Sequence, residues 1–95
     1  MENNIYISSL YDIYGVLLTD TQQKYFEDFY FNNYSLSEIS ENYSVTRNAV
    51  HKSLKETLEK LNNYESKLKL KEKLEAIKQL DIDEKIKDKI IDIFE

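Results

Sequence analysis

The sequence predicts an all-α fold: a helix-turn-helix domain whose second motif helix is long, followed by a C-terminal helical extension. Three observations predict it. Apolar residues recur at three- and four-residue steps along nearly the whole chain, the spacing of one helix face. The 95 residues hold one glycine and no proline, which leaves long segments without a breaker. Ser, Thr or Asp stands at the head of each later segment, in three cases with Glu or Gln three residues on, the signature of a capping box.

Taken in order, the first helix is expected over about 5–18. Tyr6, Leu10, Ile13, Tyr14 and Leu17 share one face. Gly15 lies inside it and costs about 1 kcal/mol relative to alanine, so it marks either a close contact or a tolerated surface position. Thr19 and Gln22 form a capping box, and the second helix runs over about 20–32. Its stripe of Tyr25, Phe26, Phe29 and Tyr30 reads as core packing rather than as a base-stacking platform. The run "NNYS" at 32–35 ends it with turn-forming residues.

A second box, Ser35 with Glu38, opens a short helix over about 36–41 with Leu36 and Ile39 inward. "ENYS" breaks it, and Thr46 caps the next. No breaker then appears before about residue 80. Along this stretch Leu54, Leu58, Leu61, Tyr64 and Leu68 make one seam, and Leu70, Leu74 and Ile77 make a second. The step from Leu68 to Leu70 is about 200° around a helix. Either the helix breaks near 66–70 or its halves pack against different things. The last helix, over about 83–94, carries Ile82, Ile86, Ile90 and Ile93 on one side, and either Thr19-like capping from Asp81 with Glu84 or a cap from Asp83 starts it.

These elements divide the chain into a helix-turn-helix domain of four helices over 1–62, with the motif at 35–58, and an extension over 63–95. The apolar surplus after residue 60 leaves two geometries open. A two-fold homodimer covers the second seam, or the last helix folds back over 68–80 as a hairpin.

Composition excludes several function classes. With no cysteine there is no disulfide or thiolate chemistry. The N-terminus has no basic run followed by an apolar stretch, so neither a signal peptide nor membrane insertion is expected, and a cytoplasmic location is the expectation. There is no glycine-rich phosphate loop or nucleophile elbow, so no enzyme and no cofactor are expected. His51 is the only histidine, and with no spaced ligand set beside it no metal site is expected.

The candidate functional residues lie at the start of the second motif helix. Leu36 and Ile39 anchor the first motif helix, Tyr43 and Val45 are expected to plug the turn, and Val50 and Leu54 seat the second helix. Arg47, Asn48, His51 and Lys52 then point outward together, with Lys55 one turn on. All can bond bases or phosphates in a groove. Charge argues the other way. The chain is net −5, and residues 35–66 are net −1, which weakens the electrostatic term of nucleic-acid affinity. The densest basic run, Lys67, Lys69, Lys71 and Lys73, spreads around the helix and reads as a solvated face, with an RNA grip as the alternative.

Residues 35–61 resemble the fourth region of bacterial sigma factors in the run Leu36-Ser37-Glu38-Ile39 followed by Val45-Thr46-Arg47; Ala49 and Glu56 depart from that arginine-richer pattern. Residues 11–70 resemble the YlxM family more closely. The tyrosine-rich first helix, "LLT" before the second helix, "YFEDFYFNNYSLSEI", "VTRNAVH" and "LNNYESKL" carry the likeness, in that order. The resemblance implies a small helical protein considered with the bacterial signal recognition particle, whose genes lie beside those of the particle's proteins. It implies a regulatory role there without catalysis. DNA, the signal recognition RNA and the particle's proteins are thus the expected partners. A homodimeric adaptor that binds a protein or RNA component without reading DNA is the alternative.

Overall fold

Six helices and one short 3-10 turn build the protein in the computed structural model, which describes residues 4–94. Helix α1 spans Asn4–Tyr14 and tightens into a 3-10 turn at Gly15–Leu17. Its inward face differs from the expected one. Ile7, Leu10, Tyr14 and Leu18 are buried and Ile13 is half-buried, while Tyr6 and Leu17 stay exposed. Aliphatic Ile7 fills the interior in place of Tyr6, whose amphipathic ring lies at the surface with Lys71 Nζ 5.2 Å above it. The 3-10 turn winds more tightly than an α-helix, which shifts the phase for Leu17 and Leu18.

Gly15 is buried and marks a close contact. A Cβ there would meet the Tyr11 ring at 3.0–3.2 Å, and that ring stacks on Phe26 with centroids 4.2 Å apart. The Gly15 carbonyl accepts from Gln23 Nε2 at 2.7 Å, which ties the turn to the next helix.

Helix α2 (Asp20–Tyr30) opens with the expected reciprocal box: Gln22 N–H donates to Thr19 Oγ1 and Thr19 N–H donates to Gln22 Oε1. Asn33, in the left-handed region at φ 57°, turns the chain toward α3 (Leu36–Asn42). The Ser35–Glu38 box opens α3 in the same reciprocal way. Helix α4 (Arg47–Leu68) starts at Thr46, whose Oγ1 accepts from Ala49 N–H at 3.0 Å.

The α4 helix ends at Lys69, which adopts φ 54°, ψ 32°, and α5 (Leu70–Lys78) leaves in a new direction. Of the two arrangements open for the two seams, this is the break. No glycine or proline causes it. Two side chains distant in sequence hold it. Glu65 Oε1 accepts from Lys71 N–H at 3.0 Å and Oε2 from Glu72 N–H at 3.2 Å. The buried Tyr14 hydroxyl donates to Glu65 Oε1 at 2.6 Å and accepts from Leu70 N–H at 3.1 Å. Three amide groups that would be orphaned at the start of α5 are thereby satisfied. A carboxylate at that end also complements the helix dipole.

Helix α6 (Glu84–Phe94) begins at Asp83, whose Oδ1 accepts from Lys85 N–H at 2.8 Å. It packs on α5, and α5 lies on α1. Of the two geometries for the second seam, the intrachain hairpin therefore accounts for Leu70, Leu74 and Ile77, all half-buried. Leu80, Ile82, Ile86 and Ile93 remain exposed.

Two clusters form the core. The larger joins Ile7, Leu10, Tyr14 and Leu18 to Phe26, Tyr30, Leu58 and Leu61. The smaller joins Tyr25, Ile39, Val50 and Leu54, with Phe29 and Leu36 at its margin. Helix α4 contributes to both, so it fixes the motif to the rest of the molecule. Among the described residues no helix is long and apolar enough to cross a membrane.

Candidate nucleic-acid interface

The smaller core cluster positions the motif. Ile39 from α3 and Val50 and Leu54 from α4 are fully buried against Tyr25 of α2. This sets α3 and α4 as the two limbs of a helix-turn-helix, with α2 behind them.

The turn between the limbs is closed differently from the expectation. Tyr43 and Val45 do not plug it; both are exposed. Backbone bonds close it instead, since Val45 N–H donates to the Ser40 carbonyl at 3.0 Å and Ser44 N–H to that of Glu41 at 3.3 Å. Ser44 takes the left-handed conformation at φ 54° that lets the chain reverse without glycine. Ser40, buried beneath, donates its hydroxyl to the Ser37 carbonyl. A turn satisfied by its own backbone needs no apolar plug, so Tyr43 is free to lie across the outside. Its ring meets Tyr25 edge-on at 5.2 Å, and its hydroxyl donates to Asp28 Oδ2 at 3.0 Å. Burial, with Asp28 adding, pushes the Tyr43 hydroxyl above its ordinary range.

Arg47, Asn48, His51, Lys52 and Lys55 are all exposed. The residues buried from α4 are Val50, Leu54, Thr57, Leu58 and Leu61. With 3.6 residues per turn Asn48, Lys52 and Lys55 turn away from that buried side, while Arg47 and His51 lie nearer to it and are exposed at the open start of the helix. The side-chain ion pairs among the described residues, Lys71 with Glu75 and Lys87 with Glu84, lie elsewhere. Among the described residues, Arg47, Lys52 and Lys55 thus form no ion pair with a carboxylate. The first turn of α4 also contains no acidic residue, so its amide dipoles add to the same positive end. The face is short. Glu56 and Glu59, also exposed, follow on the next turns and confine the positive stretch to the beginning of α4.

The lysine run is not one surface. Lys69 forms the corner between α4 and α5, and Lys71 is half-buried, paired to Glu75 and held over the Tyr6 ring. The break at residue 69 places Lys67 and Lys73 on different helices.

The sequence is similar to those of known proteins. The UPF0122 family, described as "Putative helix-turn-helix protein, YlxM / p13 like", matches residues 1–94. A UPF0122 protein of Caldanaerobacter subterraneus is 45% identical over 85 residues, covering 88% of this chain and 70% of its own. One from Geobacillus kaustophilus is 41% identical over 90 residues, covering 95% of this chain and 80% of its own. One from Malacoplasma penetrans is 51% identical over 63 residues, covering 66% and 59%.

Proposed function

We propose that this chain, which belongs to the UPF0122 family of YlxM / p13-like helix-turn-helix proteins, is a non-catalytic regulatory protein of the bacterial signal recognition particle pathway that binds nucleic acid through the start of α4. One observation carries the nucleic-acid reading. Arg47, Asn48, His51, Lys52 and Lys55 are all exposed along the start of α4, and the cations among them form no ion pair among the described residues. A motif that spent these residues on its own packing would pair or bury them. The link to the signal recognition particle rests on the resemblance to YlxM. The protein acts as a homodimer, because two-fold pairing spaces two such helices for two half-sites.

The test is binding of the purified chain to genomic DNA fragments and to the signal recognition RNA across a salt series. Affinity is expected to fall as salt rises, as counterion release requires. Arg47→Ala is expected to weaken specific binding by about 1–3 kcal/mol, the worth of a bidentate base contact. Lys52→Ala is expected to weaken all sequences alike and lower the salt slope by about one phosphate. Absence of binding to either nucleic acid at low salt removes this reading.

A second reading has its own support in the net charge of −5 and the exposed isoleucines of α6. It makes the chain an adaptor for a protein of the particle. Co-purification with such a protein that survives nuclease treatment would favour it.

A further inference from the structure

The corner between α4 and α5 is made by one residue, Lys69. Its φ of 54° lies in the left-handed region, where the Cβ of any residue but glycine crowds the backbone. Asn33 and Ser44 share that conformation, but each sits within a turn of several residues. Lys69 instead stands between Leu68 and Leu70, with good helix formers on both sides.

The bend diverts the amides of Leu70, Lys71 and Glu72 to the Tyr14 hydroxyl and the Glu65 carboxylate. An unbroken helix would give the same three amides to the carbonyls of Ser66, Lys67 and Leu68. The backbone is therefore satisfied in either form, and Tyr14 with Glu65 is the latch of the bent one. Straightening also turns the second seam. Leu70, Leu74 and Ile77 would face away from the side on which Leu54, Leu58 and Leu61 are buried, because the step between the seams is about 200°. They would then no longer reach α1 of their own chain. In the bent form α5 lies on α1 with α6 packed on α5, and neither α5 nor α6 buries a side chain completely. The hairpin is thus held chiefly by α1 and the latch.

We propose that Lys69 is a hinge about which two copies exchange their α5–α6 hairpins: α4 and α5 straighten into one helix over 47–78, and the seam Leu70, Leu74 and Ile77 of each copy seats on α1 of the other. This rests on the homodimer reading above and states how the copies pair. The surface that receives each hairpin is the one it already covers within its own chain, so exchange needs no new interface and closes with two-fold symmetry. A short connector under strain favours such exchange. The latch opposes it, and so does dilution, which leaves the bent monomer dominant at low concentration and the exchanged dimer at high concentration.

Cross-linking of the full chain tests it, since the sequence has no cysteine of its own. Asp12→Cys with Lys78→Cys puts a thiol at an exposed position on each wall of the cleft between α1 and α5. Dimers of this double variant are separated by gel filtration at submillimolar concentration and joined by a short bismaleimide. They are expected to run as covalent dimers in denaturing electrophoresis, and monomers treated alike are expected to run as monomers. Lys69→Gly relieves the bend and weakens the straight helix, so it is expected to lower the dimerisation constant about tenfold for each of the two hinges. Glu65→Ala removes the latch and is expected to raise the dimer fraction. A chain that stays monomeric, with Glu65→Ala monomeric too, overturns both the exchange and the homodimer. A dimer whose cross-linked chains separate as monomers overturns the exchange and keeps the homodimer, as does a dimer unmoved by Lys69→Gly. Nucleic-acid binding by the monomeric Lys69→Gly chain is read separately, so failure at α4 and failure at the hinge are told apart.

Discussion

The segment up to Leu61 and the hairpin of α5 and α6 carry equally regular apolar patterns, yet only the first buries them. Every fully buried side chain among the described residues lies between Ile7 and Leu61. Helices α5 and α6 bury none completely. The difference is one of neighbours. Helix α4 has α1, α2 and α3 around it, so each leucine of its seam meets a surface on several sides. Helix α6 packs chiefly on α5 and leaves Ile86 and Ile93 exposed. Amphipathic spacing therefore specifies that a helix has an apolar side, while the number of packed neighbours decides what that side contributes to stability.

The strongest way to break this comparison is truncation on both sides of it. Leu54→Ala is expected to cost about 2–5 kcal/mol, as full burial in a close-packed core implies. Small domains hold only about 5–15 kcal/mol in total, so this is a severe loss. Ile86→Ala, on the outer face of α6, is expected to change monomer stability by less than about 0.5 kcal/mol. Urea denaturation at low protein concentration measures both, and equal costs would erase the distinction between the regions.

A smaller effect sharpens the boundary between them. Glu65→Ala removes the carboxylate that accepts from Lys71 N–H, Glu72 N–H and the Tyr14 hydroxyl. The expected cost is about 1–3 kcal/mol, the penalty of leaving such groups unsatisfied. It should fall locally. Hydrogen exchange is expected to quicken in α5 and α6 while amides around Leu54 keep their protection. Uniform loss of protection would show that the hairpin and the bundle unfold as one unit.

The same contact gives a pH dependence. Burial raises the Tyr14 hydroxyl from 10.0 to about 12, the bond to Glu65 adds to it, and the Leu70 amide opposes it. Burial first, and then Glu27, also raises Tyr11. A pKa raised by folding means that the fold prefers the neutral phenol. The stabilisation is complete below the unfolded value of 10.0 and is lost as pH climbs through about 12. Denaturation midpoints are expected to fall steadily across that window, and Tyr14→Phe should make the decline shallower. A wild type indifferent to pH there would contradict the buried phenol.

The smallest expected effect is at the exposed start of α4. Arg47→Ala and Lys52→Ala should each leave stability within about 0.5 kcal/mol of wild type, because both side chains are exposed and form no ion pair among the described residues. A larger loss would show that this side of α4 packs on something.

Much of the fold was legible because its signals are local. The boxes Thr19–Gln22 and Ser35–Glu38 fixed two helix starts from four residues each, and Thr46 fixed a third. The seam Leu54, Leu58, Leu61 gave the buried side of α4. For α1 the pattern was ambiguous, because Tyr6 with Leu17 and Ile7 with Leu18 both fit helical spacing. Packing chose the aliphatic set. For the turn, Tyr43 and Val45 look like plugs in sequence, and the choice between side-chain and backbone closure is invisible there.

By itself the sequence determined the helical class, the caps, the motif and the point near residues 66–70 at which the seam changes direction. Periodicity and capping are properties of a few adjacent residues, so they can be read one segment at a time. Only the tertiary structure decided how that change is made. Tyr14 and Glu65 lie 51 positions apart, and neither carries a local sign that together they will hold the start of α5. The residues around Lys69 are good helix formers that would continue α4 unaided. The break exists because a carboxylate and a buried phenol satisfy the amides it exposes, and that compensation arises only once α1 lies beside α4.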